Sequence, residues 1–388
     1  MYPSRVYAPV PSTPSAEDFF ASALSNLFTD DPQTHHGVPG QSVYYDSPRF
    51  GRISLRIPEH PDAEEGRQLF AYNLWNGGVV AADAIEEASN DTQTQSQSQT
   101  SQKSHEENHN VKWTTRYWSV RGKSILELGA GAALPSIIAA LSGAKSVVIS
   151  DHPSSTALTM GAIEQNIHDN LHVTTQESNP STSVNINANS NKLLEKPAFQ
   201  TTALHTSVQD QEQTPLPDVS PPPTKKETES LISIYGYTWG TTTFYLPKAH
   251  GKPVPDQPSS FQRIIIAECL WMHEQHANIC KTILAYLPHD DPDGEPSCAL
   301  FVASFPNGRE VVRRFFEVAT GECTIAHHDV QTDDDEDEET RSVKGKLKAV
   351  EMFEIDMNGA RRAWAPRRPG EDKYMANRWC VCAVLIRR

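Results

Sequence analysis

The stretch SILELGAGAALPS, residues 124–136, decides the fold. Apolar residues run into Glu127 and Leu128, the chain turns through Gly129, Ala130 and Gly131, and helix-forming Ala and Leu residues follow. A short apolar run that ends on glycines and resumes as a helix is the strand–turn–helix unit of a parallel α/β sheet. The crevice at the end of such a strand is the usual ligand site, and glycine lets a ligand approach the main chain closely.

Working outward, the same alternation recurs. VVISD (147–151), SLISIYGY (230–237), RIIIAEC (263–269) and CALFVASF (298–305) read as further strands. Helices are expected over about 133–141, 154–168, 273–287 and 308–319, and an earlier one over about 63–87 with Gly77 and Gly78 weakening its middle. Those two glycines need a reason: a break, or close approach by something. AVEMFEID (349–356) and WCVCAVLIRR (379–388) follow one another without a helix, which predicts a hairpin at one edge joined by GARRAWAPRRPGED. The fold class is therefore α/β: a Rossmann-like, mostly parallel seven-stranded sheet with a C-terminal antiparallel hairpin.

Composition sets limits. The chain has 388 residues, 37% of them hydrophobic, and a net charge of −15. Removing low-complexity stretches leaves roughly 250 foldable residues, which suits one large domain. A flexible segment over 1–45 and a single domain over 46–388 are expected, the domain interrupted by polar insertions at about 88–115 and 173–229 and an acidic loop at about 329–342. The acidic balance argues against nucleic acid as the main partner. No apolar run resembles a signal peptide or a membrane span, so a cytoplasmic protein is expected, with no membrane partner and acting as a monomer. The six cysteines at 269, 280, 298, 323, 380 and 382 do not form a disulfide framework, and Cys380 and Cys382 read as core thiols. No metal set is apparent, and His273 and His276 read as a solvated helix face.

The chemistry gathers at the strand ends. Asp151 closes the second strand twenty residues after Gly131, where an acid accepts from a ribose diol. A dinucleotide fingerprint would place a third small residue at 134, but Leu134 stands there, followed by Pro135. Glu127 adds a carboxylate, which suits a cationic ligand better than a pyrophosphate. S-adenosylmethionine carries a ribose, an α-amino group and a sulfonium and no phosphate, so it fits this pattern. Tyr237 and Trp239 end the third strand, Glu268 and Trp271 follow the fourth, and Trp75 lies in LWNGG; these aromatics are candidate walls. Glu268 could orient an acceptor amine or take its proton, with Tyr237 assisting.

ILELGAGAALPSIIAALSGAKSVVISDHP, YGYTWG, IIIAECLW, LWNGG and NGREVVRRFF together resemble the seven-β-strand S-adenosylmethionine methyltransferases, and within them the fungal nicotinamide N-methyltransferase-like group. That group includes the protein N-terminal and lysine methyltransferase acting on translation elongation factor 1-alpha. The resemblance implies a protein methyltransferase with Glu127, Gly129, Ala130, Gly131, Asp151 and Glu268 holding the cofactor, Trp75 and Trp239 beside it, and Glu268 and Trp271 filling a motif of an acid, two variable residues and an aromatic, with Trp271 on the substrate side. A small-molecule N-methyltransferase, or a non-enzymatic adaptor on the same fold, are the competing readings.

Overall fold

In the computed structural model, residues 2–9, 34–62, 69–90, 113–171, 173–174, 183–186, 230–247, 252–289, 294–322 and 337–388 are described. Five short strands precede the main sheet: β1 (Val6–Tyr7), β2 (His35–His36), β3 (Ser42–Ser47), β4 (Gly51–Arg56) and β5 (Leu74–Trp75). β1, β3 and β4 form a small antiparallel sheet, and β2 pairs with β5. The expected loose segment over 1–45 therefore contributes ordered strands among its described residues. Tyr2 is buried, and its backbone N–H donates to the Met357 carbonyl at 2.9 Å, which ties this segment to the C-terminal hairpin.

Helix α1 spans Asn76–Ala88 and starts later than the expected 63–87. The reason is pairing: the backbone of Leu74 and Trp75 is held extended against His35 and His36, so the helix cannot begin before Asn76. Gly77 and Gly78 thus lie in its first turn.

The main sheet follows the chain as β6 (Ser124–Leu128), β7 (Ser146–Asp151), β8 (Val173–Thr174), β9 (Ser183–Ile186), β10 (Ser230–Tyr237), β11 (Phe244–Tyr245), β12 (Arg263–Ala267), β13 (Cys298–Ala303), β14 (Leu347–Asp356), β15 (Arg361–Ala363) and β16 (Trp379–Arg387). Its order is β15-β14-β16-β13-β12-β6-β7-β10-β9-β8, with β11 on β10. The sheet has eleven strands where seven were expected; the additional β8, β9, β11 and β15 are two to four residues long and lie on its margins. β8 and β9 come from the stretch expected to be a polar insertion. β10, β7, β6, β12 and β13 run parallel, and β16 enters antiparallel between β13 and β14. This is the doubly wound, Rossmann-like arrangement, in which the strand order reverses between β6 and β12.

Between the strands run α2 (Leu134–Leu141), α3 (Ala162–Asn170), α4 (His276–Tyr286) and α5 (Arg309–Thr320). The helix expected over 154–168 is two pieces, Thr156–Thr159 and α3, because Gly161 adopts φ +75° between them. The acidic loop carries a short helix, Glu338–Val343, capped by Asp337, whose carboxylate accepts from the Thr340 N–H at 2.6 Å. The rest of that loop and most of both polar insertions lie outside the described residues.

Both faces of the sheet are covered, which is why its strands are continuous apolar runs. Ile125 faces the side packed by α1 and α2, while Leu126 and Leu128 face the side packed by α4 and α5. Alternation puts Glu127 on the same face as Ile125. Cys380 and Cys382 share one face of β16 and are fully buried. His276 corrects the solvated-face expectation. It is 2% exposed, its Nε2 is 3.0 Å from the Leu270 carbonyl, and its ring lies edge-on to Phe315, because the chain turns inward at α4. No helix among the described residues is long and apolar enough to cross a membrane.

Candidate active site

The register brings four strand ends level. Leu128 pairs with Ser150, Asp151 with Gly236, and Ile266 with Leu128. Side chains leaving β6, β7, β10 and β12 therefore converge at the switch point of the sheet, where a cavity of about 290 Å³ opens. Every site residue expected from the sequence lines it: Trp75, Glu127, Gly129, Ala130, Gly131, Asp151, Tyr237, Trp239, Glu268 and Trp271.

The glycine turn is enforced by its neighbours. Gly129 has φ +64°, and a Cβ there would lie 2.9 Å from Cys269 Sγ and 3.3 Å from the Trp239 ring. The Gly131 N–H donates to Asp151 Oδ2 at 2.8 Å, and the His152 N–H donates to Oδ1 at 2.7 Å. Asp151 is thus aimed by two backbone donors and fixed against the turn. Burial pushes its carboxyl above the ordinary aspartate range, opposed by those donors.

Glu127 is tied to a nearby backbone donor, the structural role that competes with ligand binding for this carboxylate. Its Oε2 accepts from both the Ser136 N–H, at 3.1 Å, and the Ser136 hydroxyl. Ser136 is in the first turn of α2, whose preceding residue Ala133 offers no side-chain cap. The carboxylate of Glu127 therefore satisfies an open N–H at the start of this helix, the place where a pyrophosphate sits in dinucleotide folds. Burial raises its pKa to about 8.

Glu268 stands at φ +58°, a left-handed conformation that is unusual for glutamate. Its Oε1 accepts from the Gly77 N–H at 2.8 Å, and its Oε2 accepts from Ser304 N–H at 3.1 Å and Ser304 Oγ at 2.7 Å. It thereby joins α1, β12 and the end of β13 at the cavity wall. Burial raises its pKa, against the pull of Ser304 and Gly77. Tyr237 is oriented differently from the expectation of an assisting hydroxyl. Its ring stacks on Phe244 with centroids 4.4 Å apart, and its hydroxyl donates to the Thr241 carbonyl at 2.7 Å and lies 3.1 Å from Thr282 Oγ1.

Phe70 lines the cavity without a signal in the sequence, because the segment around it reads as helix. It has φ +49°, its carbonyl accepts from the Trp75 indole N–H at 3.1 Å, and its ring meets Trp271 edge-on at 4.8 Å. Ser136 and Ser304 are likewise silent in the sequence; a lone serine carries no signal until the partner carboxylate is in place. Met272 and Gln275 add to the wall beyond Trp271.

The lining decides which ligand fits. It contains three carboxylates, Glu127, Asp151 and Glu268, and no lysine or arginine among the described residues. A phosphate would meet acids and a helix start already capped by Glu127, whereas a cation bearing a ribose diol would not. S-adenosylmethionine fits these residues.

Comparison with known proteins leads to the same class. A lysine methyltransferase family model matches residues 59–191, about a third of the chain. The match includes Trp75, Glu127, Gly129, Gly131 and Asp151 and ends before Glu268. The chain is similar to the protein N-terminal and lysine N-methyltransferase EFM7 of Gibberella zeae, 24% identical over 251 residues that make up 64% of each chain. It is also similar to the protein of the same name from Neurospora crassa, 30% identical over 128 residues, 33% of each chain. The chain spans less than two thirds of the length of both. Among solved structures, the ribosomal protein L11 methylase of Lactobacillus delbrueckii subsp. bulgaricus aligns with 74% of this chain and 91% of its own at 12% identity and a TM-score of 0.29, a likeness that carries no argument.

Proposed function

We propose that the chain is an S-adenosylmethionine-dependent N-methyltransferase that modifies a protein amine. The observation that carries this reading is the cavity at the sheet's switch point, lined by three carboxylates and no basic side chain among the described residues. When bound, S-adenosylmethionine would supply a methyl group to an amine lone pair, the bond from carbon to the cationic sulfur breaking as the bond to nitrogen forms, with S-adenosylhomocysteine leaving and the amine giving up a proton.

The chain's own residues supply position and exclude water. Asp151, held by the Gly131 and His152 N–H groups, would accept from the ribose hydroxyls of a bound cofactor through its remaining lone pairs. Glu127 would take the amino group of the ligand. Trp239, packed on the glycine turn, and Trp75 would wall the adenine end. Glu268 and Trp271 mark the acceptor end. With both oxygens of Glu268 anchored on Gly77 and Ser304, its role is to orient the incoming amine, and Tyr237 supports the wall.

The acceptor must reach the cavity uncharged. A protein α-amine, with a pKa of about 7.7–8, loses its proton more readily than a lysine at about 10.4. The names of the similar proteins point to both targets, and the resemblance read in the sequence points to translation elongation factor 1-alpha. We place the enzyme in the cytoplasm as a monomer; its five described cysteines are all unpaired and buried, as suits a reducing compartment.

The test is a tritiated S-adenosylmethionine assay on cell lysate, with mass spectrometry of labelled bands and calorimetry of cofactor binding. Label on a protein N-terminus or lysine is the expected result. Label confined to small molecules would replace the protein acceptor with a small amine. Absence of any cofactor binding heat would leave only an adaptor on this fold.

A further inference from the structure

We propose that the arginine-rich loop joining β14 to β16 is a docking ledge for an acidic peptide segment of a protein partner. In a chain of net charge −15, residues 361–378 carry six arginines and lysines against two acidic residues. Two hollows, of about 790 and 730 Å³, flank this loop and share Arg367, Arg368 and Pro369 in their walls.

The ledge is built to hold its shape. Glu354 is fully buried and takes Arg309 at 2.7 Å, Arg362 at 2.6 Å and Arg368 at 3.1 Å. Glu371 takes Arg362 at 2.6 Å as well as Arg309. The Arg362 guanidinium also lies 3.6 Å from the centroid of the Trp379 ring. These contacts fix the loop before any partner arrives, which reduces the entropy lost on binding. Arg367 and Lys373 remain exposed on the rim, beside Tyr374 at 64% and Met375 at 54% exposure. Cationic groups interspersed with exposed large side chains suit a peptide that offers carboxylates and an aromatic or aliphatic anchor.

A nucleic acid fits less well. Glu310, Glu371 and Asp372 line the same hollows, so a continuous phosphate backbone would meet acids along the ledge. Separate glutamates on a peptide can pass between them.

Position supports the assignment. Asn307 lines one hollow, and its Nδ2–H donates at 3.2 Å to the carbonyl of Trp271, which lines the cofactor cavity. A protein whose amine enters at Trp271 therefore lays its neighbouring surface on the ledge. This placement rests on the methyltransferase reading; the binding itself does not.

The test uses the full chain and a fluorescein-labelled peptide repeating Glu-Glu-Phe, followed by anisotropy, with the Lys-Lys-Phe analogue and a short oligouridylate as controls. The double variant Arg367→Glu with Lys373→Glu alters two exposed rim residues outside the ion-pair network. We expect the acidic peptide to bind, and the variant to weaken it about tenfold or more, the equivalent of about 1.4 kcal/mol. The thermal midpoint should be unchanged, and a photoreactive version of the peptide should cross-link at Tyr374 or Met375. Equal binding by the variant, equal binding of the lysine analogue, or cross-linking elsewhere would overturn the ledge. Tighter, rim-dependent binding of oligouridylate would assign it to nucleic acid instead. Failure of the wild type to bind S-adenosylmethionine would sink the methyltransferase reading while leaving this test intact.

Discussion

The Gly77 N–H and the Glu268 carboxylate meet at 2.8 Å across 191 residues of sequence, and a Cβ on Gly77 would fall 2.4 Å from Glu268 Oε1. The close approach demanded by the glycine pair in LWNGG is therefore the approach of this carboxylate to the start of α1. Gly77→Ala forces one of the two to move. The expected outcome is a loss of about 1–3 kcal/mol in stability, the usual range for overpacking, together with weaker cofactor binding. Denaturant unfolding with and without S-adenosylmethionine measures both. A variant with wild-type stability and affinity would show that the contact has no structural weight.

Glu268→Gln separates positioning from proton transfer. The amide keeps one acceptor but turns an NH2 toward Gly77 or Ser304, both of which donate. If Glu268 only positions, turnover falls with its pH profile unchanged. If it takes the acceptor's proton, the ascending limb loses the ionisation of the carboxylate and keeps only that of the amine.

Much of this was legible in the sequence because parallel strands buried on both faces leave continuous apolar runs. SLISIYGY is β10 residue for residue, and the glycines, Asp151 and Glu268 lie at strand ends where the sheet must gather them. What was not legible depends on partners far away in sequence. β5 exists because His35 and His36 hold Leu74 and Trp75, and Phe70 faces the cavity for want of the helix expected there. The Tyr237 hydroxyl goes to Thr241 and Thr282 because a strand-end tyrosine can point along the sheet as easily as into the crevice. Margins such as β8 and β9 carry polar sequence, which periodicity does not detect.

Glu127 makes stability depend on pH in a defined direction. Its folded pKa is raised to about 8, against about 4.3 in an unfolded chain. Between those values the folded state holds the proton more tightly, so this group's contribution to stability falls as pH rises through the window, by at most about 1.4 kcal/mol per unit. Asp151 and Glu268 are shifted the same way, and Glu354 and Glu371 the opposite way, so the difference between wild type and Glu127→Gln is the quantity to measure. The difference should grow from pH 5 to pH 8. Parallel stability curves would mean that Glu127 ionises as it does in water.

Asp151→Asn tests the ribose end. The asparagine oxygen can accept from only one of the two backbone donors, and its NH2 opposes the other. Charged hydrogen bonds contribute about 1.5–3 kcal/mol each, so cofactor affinity should fall by about one to two orders of magnitude. Calorimetry checks this directly. Affinity for S-adenosylhomocysteine, which keeps the ribose and lacks the sulfonium charge, should fall by the same factor. Loss of affinity for the sulfonium compound alone would move Asp151 away from the diol.

Phe70 and Trp271 meet edge-on at 4.8 Å, and both line the cavity. Phe70 is also 39% exposed and held at φ +49°, a conformation that costs a non-glycine residue about 1 kcal/mol or more. Phe70→Gly relieves that strain while removing one wall, so stability should change by less than about 1 kcal/mol. If the ring borders the acceptor, KM for the acceptor rises several-fold while cofactor affinity stays within about threefold. If it borders the cofactor through its contact with Trp75, cofactor affinity falls and acceptor KM does not. Steady-state kinetics at saturating cofactor, paired with calorimetry, separate the two, and no change in either would confine Phe70 to the surface.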